Sequence, residues 1–412
     1  MKENLLVLGV LPPELGGSYF NGVTTVIRDL TPNFSDHFNV AIFATNVNEL
    51  RIKNRNIMMN KGCSVNLFGY SPYKLFTSLL IEIIKNPIKL TREMNSYKSI
   101  YGMPPLKMLL YRINLERAII EYNPKIIHSH GVVFLPILKN INHEAKIVTT
   151  YHDIPYNDKS AVEFNLKQRI DIRKLYIETT TIIENFTCLN TVKFKEIEGL
   201  LNGKQKFKII GNGIDLDKFF FDLEERKSIR EVYGVKENEK VLITVASLTK
   251  RKGHSLFLEY IAFNKLDVKY WIVGDGPEYE ALRKQVKELD IEKNVKFLGV
   301  IQNHELYKYY SASDSLILPS SSEGQAMAIL EALACGLPVY VNEKIYETLE
   351  FGTDVMKIIT PLDFETNQKE ISLETKSDIS RDKIIDYMSH YSWENIASNY
   401  IEFFKETINE LC

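Results

Sequence analysis

A repeated alternation of short, continuous apolar runs with longer segments of helical spacing constrains this chain more than any other feature. Residues 4–10, 40–44, 64–69, 125–129 and 146–151 read as strands in the first half, and 240–246, 270–273, 295–298 and 315–318 in the second. Most are apolar at consecutive rather than alternate positions, so both faces of each strand must be covered, which favours parallel sheets flanked by helices. Helical spacing fills the intervals: 23–30, a long stretch over 72–122 interrupted by Pro87 and Pro104-Pro105, then 254–263, 278–289, 305–312 and 326–335. The last of these ends at Gly336 with Pro338 just beyond, a normal helix stop. The expected class is α/β.

Length then sets the number of sheets. With 412 residues the chain exceeds one hydrophobic core and suits two domains. The expected division is 1–205, 206–385 and a terminal segment 386–412, where Trp393, Ile396, Tyr400 and Phe403-Phe404 fall at roughly helical spacing. In open parallel sheets the ligand sits beyond the carboxyl ends of the strands, and two such domains facing each other would leave a cleft there. The composition, 45% apolar and 25% charged, is that of a soluble globular protein, and a net charge of −2 argues against a broad nucleic-acid-binding face. Cys63, Cys188, Cys335 and Cys412 show no C-x-x-C spacing, so no metal or redox site is expected and a reducing compartment fits. The N-terminal apolar run ends in a Pro-Pro-Glu turn and reads as a strand, not a signal peptide. The longest apolar stretches fall well short of the ~20 residues that span a bilayer. A cytoplasmic location follows, with the inner membrane surface as a further option.

Residues 320–339, SSSEGQAMAILEALACGLPV, carry the strongest chemical signal. A strand ends at Pro319, Glu323-Gly324 make the turn, and a helix follows within about two residues, so Glu323 precedes the helix and Glu331 lies inside it. The helix N-terminus offers unpaired N–H groups and a positive dipole end suited to a diphosphate. A carboxylate at Glu331 could accept from two ribose hydroxyls. Taken alone, the pattern also allows Glu323 as a plain helix cap and Glu331 as a solvated charge. Upstream, Lys252 precedes Gly253 in a loop after a strand, a cation beside a residue that lets another group approach the backbone.

These residues resemble the retaining GT-B glycosyltransferases of family 4, whose E-x7-E element Glu323 and Glu331 match. GNGIDLDKF (211–219), ASLTKRKG (246–253), VGDGP (273–277) and VKFLGVI (295–301) resemble, in order and spacing, the opening segment, diphosphate loop, following strand-turn and nucleobase stretch of the family's donor domain. The resemblance covers most of residues 208–340. It implies two Rossmann-like domains facing across a cleft, with Glu331 on the donor ribose and Glu323 near the transferred sugar. Ser247, Arg251, Lys252, Gly276, Leu298, Gly324, Gln325 and Ala326 become donor-binding candidates, with Lys252 and Glu323 also counted as catalytic. Ser247 departs from the pattern, because the family usually carries an arginine there; Lys250 or Arg251 could supply the missing charge.

The first half matches more loosely. Gly16-Gly17 and Asn21-Gly22 lie where the family has a glycine pair, and Gly22 is the better match. HSHG (128–131) and TTYHD (149–153) each follow a strand. Family members often carry a histidine at the place of His152, near the donor sugar and diphosphate, where it can hydrogen-bond the sugar or an accumulating negative charge. A core or loop histidine is the competing reading, Asp153 could orient the ring, and buried roles are expected for His128 and His130.

The implied reaction moves a sugar from a nucleotide-diphosphate donor to a hydroxyl of a glycan or lipid-linked acceptor, with retention and without a metal or other cofactor. Residues 71–117 bear on the acceptor. Eight Lys/Arg stand there against three Glu, interleaved with Tyr73, Phe76, Leu79, Leu80, Ile83, Ile84, Tyr97, Tyr101 and Tyr111. That mixture suits either peripheral contact with an anionic membrane or an ordinary helical face. Two other readings stay open: a glycosyltransferase-like partner subunit without turnover, and an epimerase or phosphorylase of the same architecture.

Overall fold

The computed structural model describes residues 2–15, 17, 22–44, 55–59, 64–67, 72–101, 105–152, 174–180, 182–362, 364 and 380–409. The chain forms two compact units. One comprises Met1–Asn157, Glu163–Asn212 and Trp393–Cys412; the other comprises Asp158–Val162 and Gly213–Ser392.

The first unit runs β1 (Glu3–Gly9), α1 (Gly22–Leu30), β2 (Phe38–Ala44), β3 (Arg55–Met58), β4 (Ser64–Leu67), α2 (Pro72–Lys85), α3 (Pro87–Tyr101), α4 (Pro105–Tyr122) and β5 (Ile126–His130). It continues through α5 (Leu135–Leu138), β6 (Lys146–Tyr151), α6 (residues 174–180), β7 (Asn185–Cys188), α7 (Thr191–Glu198) and β8 (Lys206–Ile209). The sheet order is β3-β4-β2-β1-β5-β6-β7-β8. All pairings are parallel except β3 with β4, an antiparallel edge that the apolar runs do not announce. Residues 206–209, assigned from sequence to the second domain, pair with β7 and so belong to the first sheet. The final helix of the chain, α16 (Trp393–Asn409), is also part of this unit. Phe404 packs edge-on against Phe34, Phe38 and His128, which explains why the aromatic stripe of this helix is buried.

The second unit contains α8 (Leu223–Val232), β9 (Val241–Val245), α9 (His254–Phe263), β10 (Lys269–Val273), α10 (Tyr279–Glu288), β11 (Val295–Gly299) and α11 (Leu306–Ala312). β12 (Ser315–Leu318), α12 (Met327–Ala334), β13 (Val339–Asn342), α13 (Glu343–Tyr346), α14 (Thr353–Met356), β14 (Ile359–Leu362) and α15 (Arg381–Met388) complete it. Its sheet is wholly parallel, in the order β11-β10-β9-β12-β13-β14. Successive strand residues enter opposite cores: Val241, Ile243, Leu316, Leu318, Val339 and Val341 face one, while Leu242, Ile317 and Tyr340 face the other. Burial on both faces is why these strands read as unbroken apolar runs. The strand order reverses between β9 and β12. A crevice beyond the carboxyl ends of strands at such a reversal is the usual ligand position in a doubly wound sheet.

Candidate active site

The loops after β9 and β12 meet at that reversal. Gly253 ends the β9 loop with φ of +69°, and a Cβ there would stand 2.1 Å from the Pro319 carbonyl oxygen at the end of β12. The glycine is therefore required by the neighbouring backbone itself. Ser321 N–H donates to the Arg251 carbonyl at 2.9 Å, and the Arg251 guanidinium donates to the Ser322 carbonyl at 2.7 Å. The β10 loop joins from the other side: Leu248 N–H donates to Asp275 O, and a Cβ on Gly276 would lie 2.5 Å from Leu248 O.

This stitching brings two cations onto one carboxylate. Lys252 Nζ lies 2.6 Å from Glu323 Oε1, and an Arg251 guanidinium nitrogen lies 3.6 Å from Glu323 Oε2. Glu323 is buried, while Lys252 and Arg251 are partly accessible. Two positive groups against one negative leave the cluster with excess positive charge, and an ammonium bound to one carboxylate still has donors to spare. Just beyond, α12 starts at Met327, one residue later than its sequence suggests, with Ala326 as an N-cap that provides no side-chain hydrogen bond. Cations beside a helix N-terminus without a side-chain cap suit a diphosphate.

Glu331 lies one to two turns into α12 and is buried rather than solvated. Tyr310 of α11 donates its hydroxyl to Glu331 Oε2 at 2.8 Å, fixing the carboxylate. Burial and the neighbouring carboxylate push the Tyr310 hydroxyl well above its ordinary pKa, so it remains a donor. His254, the first residue of α9, is also buried, and desolvation lowers its pKa to about 4 against the opposing pull of the Ser247 backbone; Lys252 lowers it further. A neutral imidazole thus stands under the cation loop.

Ser247, Arg251, Lys252, Gly276, Glu323, Gly324, Gln325, Ala326 and Glu331 all fall on this group of loops or on α12. Ser247 is exposed and uncharged, while Arg251 brings the guanidinium to the cluster. Leu298 sits on β11, two strands from β9, and packs against the core.

In the first unit, Gly22 opens α1, where a Cβ would meet nothing within 4 Å. His152 follows β6, and its Nε2 is 2.9 Å from His130 Nδ1 with the rings stacked. His130 thus holds the ring; Asp153, Gly16 and Asn21 lie outside the described residues. His128 bonds the Thr150 hydroxyl at 2.8 Å, and burial lowers its pKa to about 3. Tyr310 and His130 carry no local sequence signal for these roles, because their partners Glu331 and His152 lie 21 and 22 residues along the chain.

Two sheets of this kind, the second with a cation–carboxylate cluster at its reversal point, define a two-domain α/β protein of GT-B architecture. Residues 225–351 match the family model described as glycosyl transferases group 1. The matched residues lie within the second unit and include Ser247, Arg251, Lys252, Glu323 and Glu331. Among curated relatives, the N-acetyl-alpha-D-glucosaminyl L-malate synthase of Bacillus anthracis is 29% identical over 59% of this chain and 62% of its own length. The alpha-monoglucosyldiacylglycerol synthase of Streptococcus pneumoniae is 32% identical over 36% of this chain and 37% of its own. The matches thus span less than two thirds of either relative. Among solved structures, sucrose-phosphate synthase from Thermosynechococcus elongatus superposes with a TM-score of 0.73 at 16% identity, covering 99% of this chain and 100% of that one. Anabaena Alr3699/HepE, in complex with UDP and glucose, gives 0.67 at 18% identity, covering 98% and 100%. At these identities the two structures share the fold.

Proposed function

We propose that this chain is a retaining glycosyltransferase that carries a sugar from a nucleotide-diphosphate donor to a hydroxyl of a glycan or lipid-linked acceptor, with no metal. The Lys252–Glu323–Arg251 cluster at the sheet reversal, with Glu331 on the adjoining helix, carries the reading. The donor diphosphate takes the Lys252 ammonium and the α12 N–H groups, and Glu331, held by Tyr310, accepts from the ribose hydroxyls. As Lys252 turns to the phosphate, Glu323 is released to the sugar. For His152 the proposal is the role implied by family resemblance, a hydrogen bond to the sugar. The bond from the anomeric carbon to the β-phosphate oxygen breaks, and the acceptor oxygen bonds to that carbon on the same face. The acceptor proton passes to the departing phosphate, whose negative charge is met by preplaced donors. The acceptor side is supported by relatives named for glycolipid and small-molecule products. The chain is proposed to act in the cytoplasm at a membrane surface.

The test is the anomeric configuration of the product, read by proton NMR from reactions containing EDTA. Retention with undiminished turnover supports the reading; inversion, or turnover that needs an added divalent ion, overturns it.

A further inference from the structure

α2 and α3 place their charges and apolar side chains the reverse of what water favours. Arg112 of α4 is 1% exposed and binds three carboxylates: Glu82 of α2, Glu93 of α3 at 3.1 Å, and Glu116 at 2.8 Å. Burial raises the Glu93 pKa, while Arg112 and Lys89 oppose the shift. The acids of this pair of helices are thus turned inward. Facing out are Phe76, Leu80 and Ile84, spaced four residues apart along α2, flanked by Ile81 and Ile83. Ile88 continues the four-residue spacing past Asn86, and Ile84 and Ile88 are 78% and 69% exposed. Six large apolar side chains on one face are more than single scattered residues, and such patches mark interaction surfaces.

The charge around the patch decides its partner. Residues 72–101 contain five Lys/Arg and two Glu, and both Glu are the ones bound to Arg112. Among the described side chains of this pair, the outward charges, Lys85, Lys89 and Arg92, are therefore basic. A cavity of about 560 Å³ opens beside α3, lined by Lys89, Arg92 and Ser96 from one helix face and by Lys139 and Asn140 opposite. Glu93 and Glu178 also line it. A second copy of this chain would set these cations against their own kind, whereas an anionic lipid surface offers both the apolar layer and the opposite charge.

We propose that the α2–α3 face seats this protein on an anionic lipid bilayer, with Phe76, Leu80, Ile84 and Ile88 in the headgroup–acyl boundary and a lipid phosphate in the cavity lined by Lys89, Arg92 and Lys139. The proposal rests on the membrane-surface location given above and not on the transfer chemistry. The full chain is sedimented with vesicles of phosphatidylcholine alone or with added phosphatidylglycerol, while nucleoside diphosphate binding is measured on the same preparation. Binding only to the anionic vesicles, weakening with salt, is the expected result. Lys89→Gln with Arg92→Gln lowers the partition constant about 30-fold, at about fivefold per cation. Ile84→Ser with Ile88→Ser lowers it at least about tenfold. Circular-dichroism melts of both variants match the parent, so the losses are not unfolding. Equal binding to both vesicle types, no binding, or parent-like binding by either double variant overturns the proposal. So does soluble glycerol 3-phosphate binding without vesicle binding, or a lipid-free dimer that Ile84→Ser dissociates. Nucleotide binding that fails while vesicle binding holds counts against the donor site alone.

Discussion

Gly253→Ala isolates the contact that holds the cation loop over β12. Two costs are distinct at this position. The φ of +69° puts an alanine in the left-handed region, at about 1–2 kcal/mol. The new Cβ would also lie 2.1 Å from Pro319 O and 2.8 Å from Pro319 C, both backbone atoms, so the loop must retreat by about an ångström, and such overpacking costs typically about 1–3 kcal/mol. Gly234 is the internal control: its φ is +64°, yet a Cβ there meets nothing within 4 Å, so Gly234→Ala carries only the backbone cost. Gly253→Ala should therefore exceed Gly234→Ala by about 1–3 kcal/mol in urea unfolding. It should also weaken nucleoside diphosphate binding, because the adjacent Lys252 sits only 2.6 Å from Glu323 and moves with the loop. Equal destabilisation by the two substitutions, or unchanged nucleotide affinity in Gly253→Ala, would refute the reasoning.

Lys252→Gln removes the preplaced cation and should lower kcat/KM about 10²–10³-fold in a nucleotide-release assay; a loss under about threefold would place Lys252 outside the chemistry. Tyr310→Phe deletes the hydroxyl on the buried Glu331 and should cost about 1.5–3 kcal/mol of stability, read by urea denaturation, with no change counting against the contact. Buried histidines make stability acid-sensitive. His128 is lowered to about 3, His254 to about 4 and His130 well below 6.5, so below 6.5 the unfolded chain binds protons that the folded chain refuses. Their contribution is complete above pH 6.5 and is lost as pH falls toward 4, at about 1.4 kcal/mol per histidine per pH unit. Burial lowers the His143 pKa as well, so denaturation followed from pH 7 to 5 should show the first unit losing stability more steeply than the second; a flat profile contradicts this.

β7, β13 and β14, four-residue strands with polar residues or a proline among them, were passed over, whereas Val241–Val245 and Ser315–Leu318 were legible because burial on both faces leaves an unbroken apolar run. β3 was not, since a four-residue edge strand needs no such run. At the site, the spacing of Glu323 and Glu331 survives in sequence because both lie on one strand–turn–helix segment. The pairing of Lys252 with Glu323 spans 71 residues, and that of Tyr310 with Glu331 spans 21. Neither is visible to local periodicity, since only the sheet order brings the segments together. Between α2 and α4 the sequence displays basic and apolar residues in mixture. Which stripe faces inward depends on Arg112, whose burial against three carboxylates turns the apolar stripe out.

The most direct test of the donor site is a thermal-shift series of UDP, GDP, ADP, CDP and TDP in EDTA, run on the parent chain and on Glu331→Gln. Glutamine keeps an acceptor for Tyr310 but lacks the paired carboxylate oxygens that two ribose hydroxyls require. A ligand that binds only the folded state must raise its melting temperature. One diphosphate raising the parent's melting temperature without metal, and raising that of Glu331→Gln distinctly less, is the predicted result. No shift with any diphosphate in folded protein, or equal shifts in both chains, would contradict it.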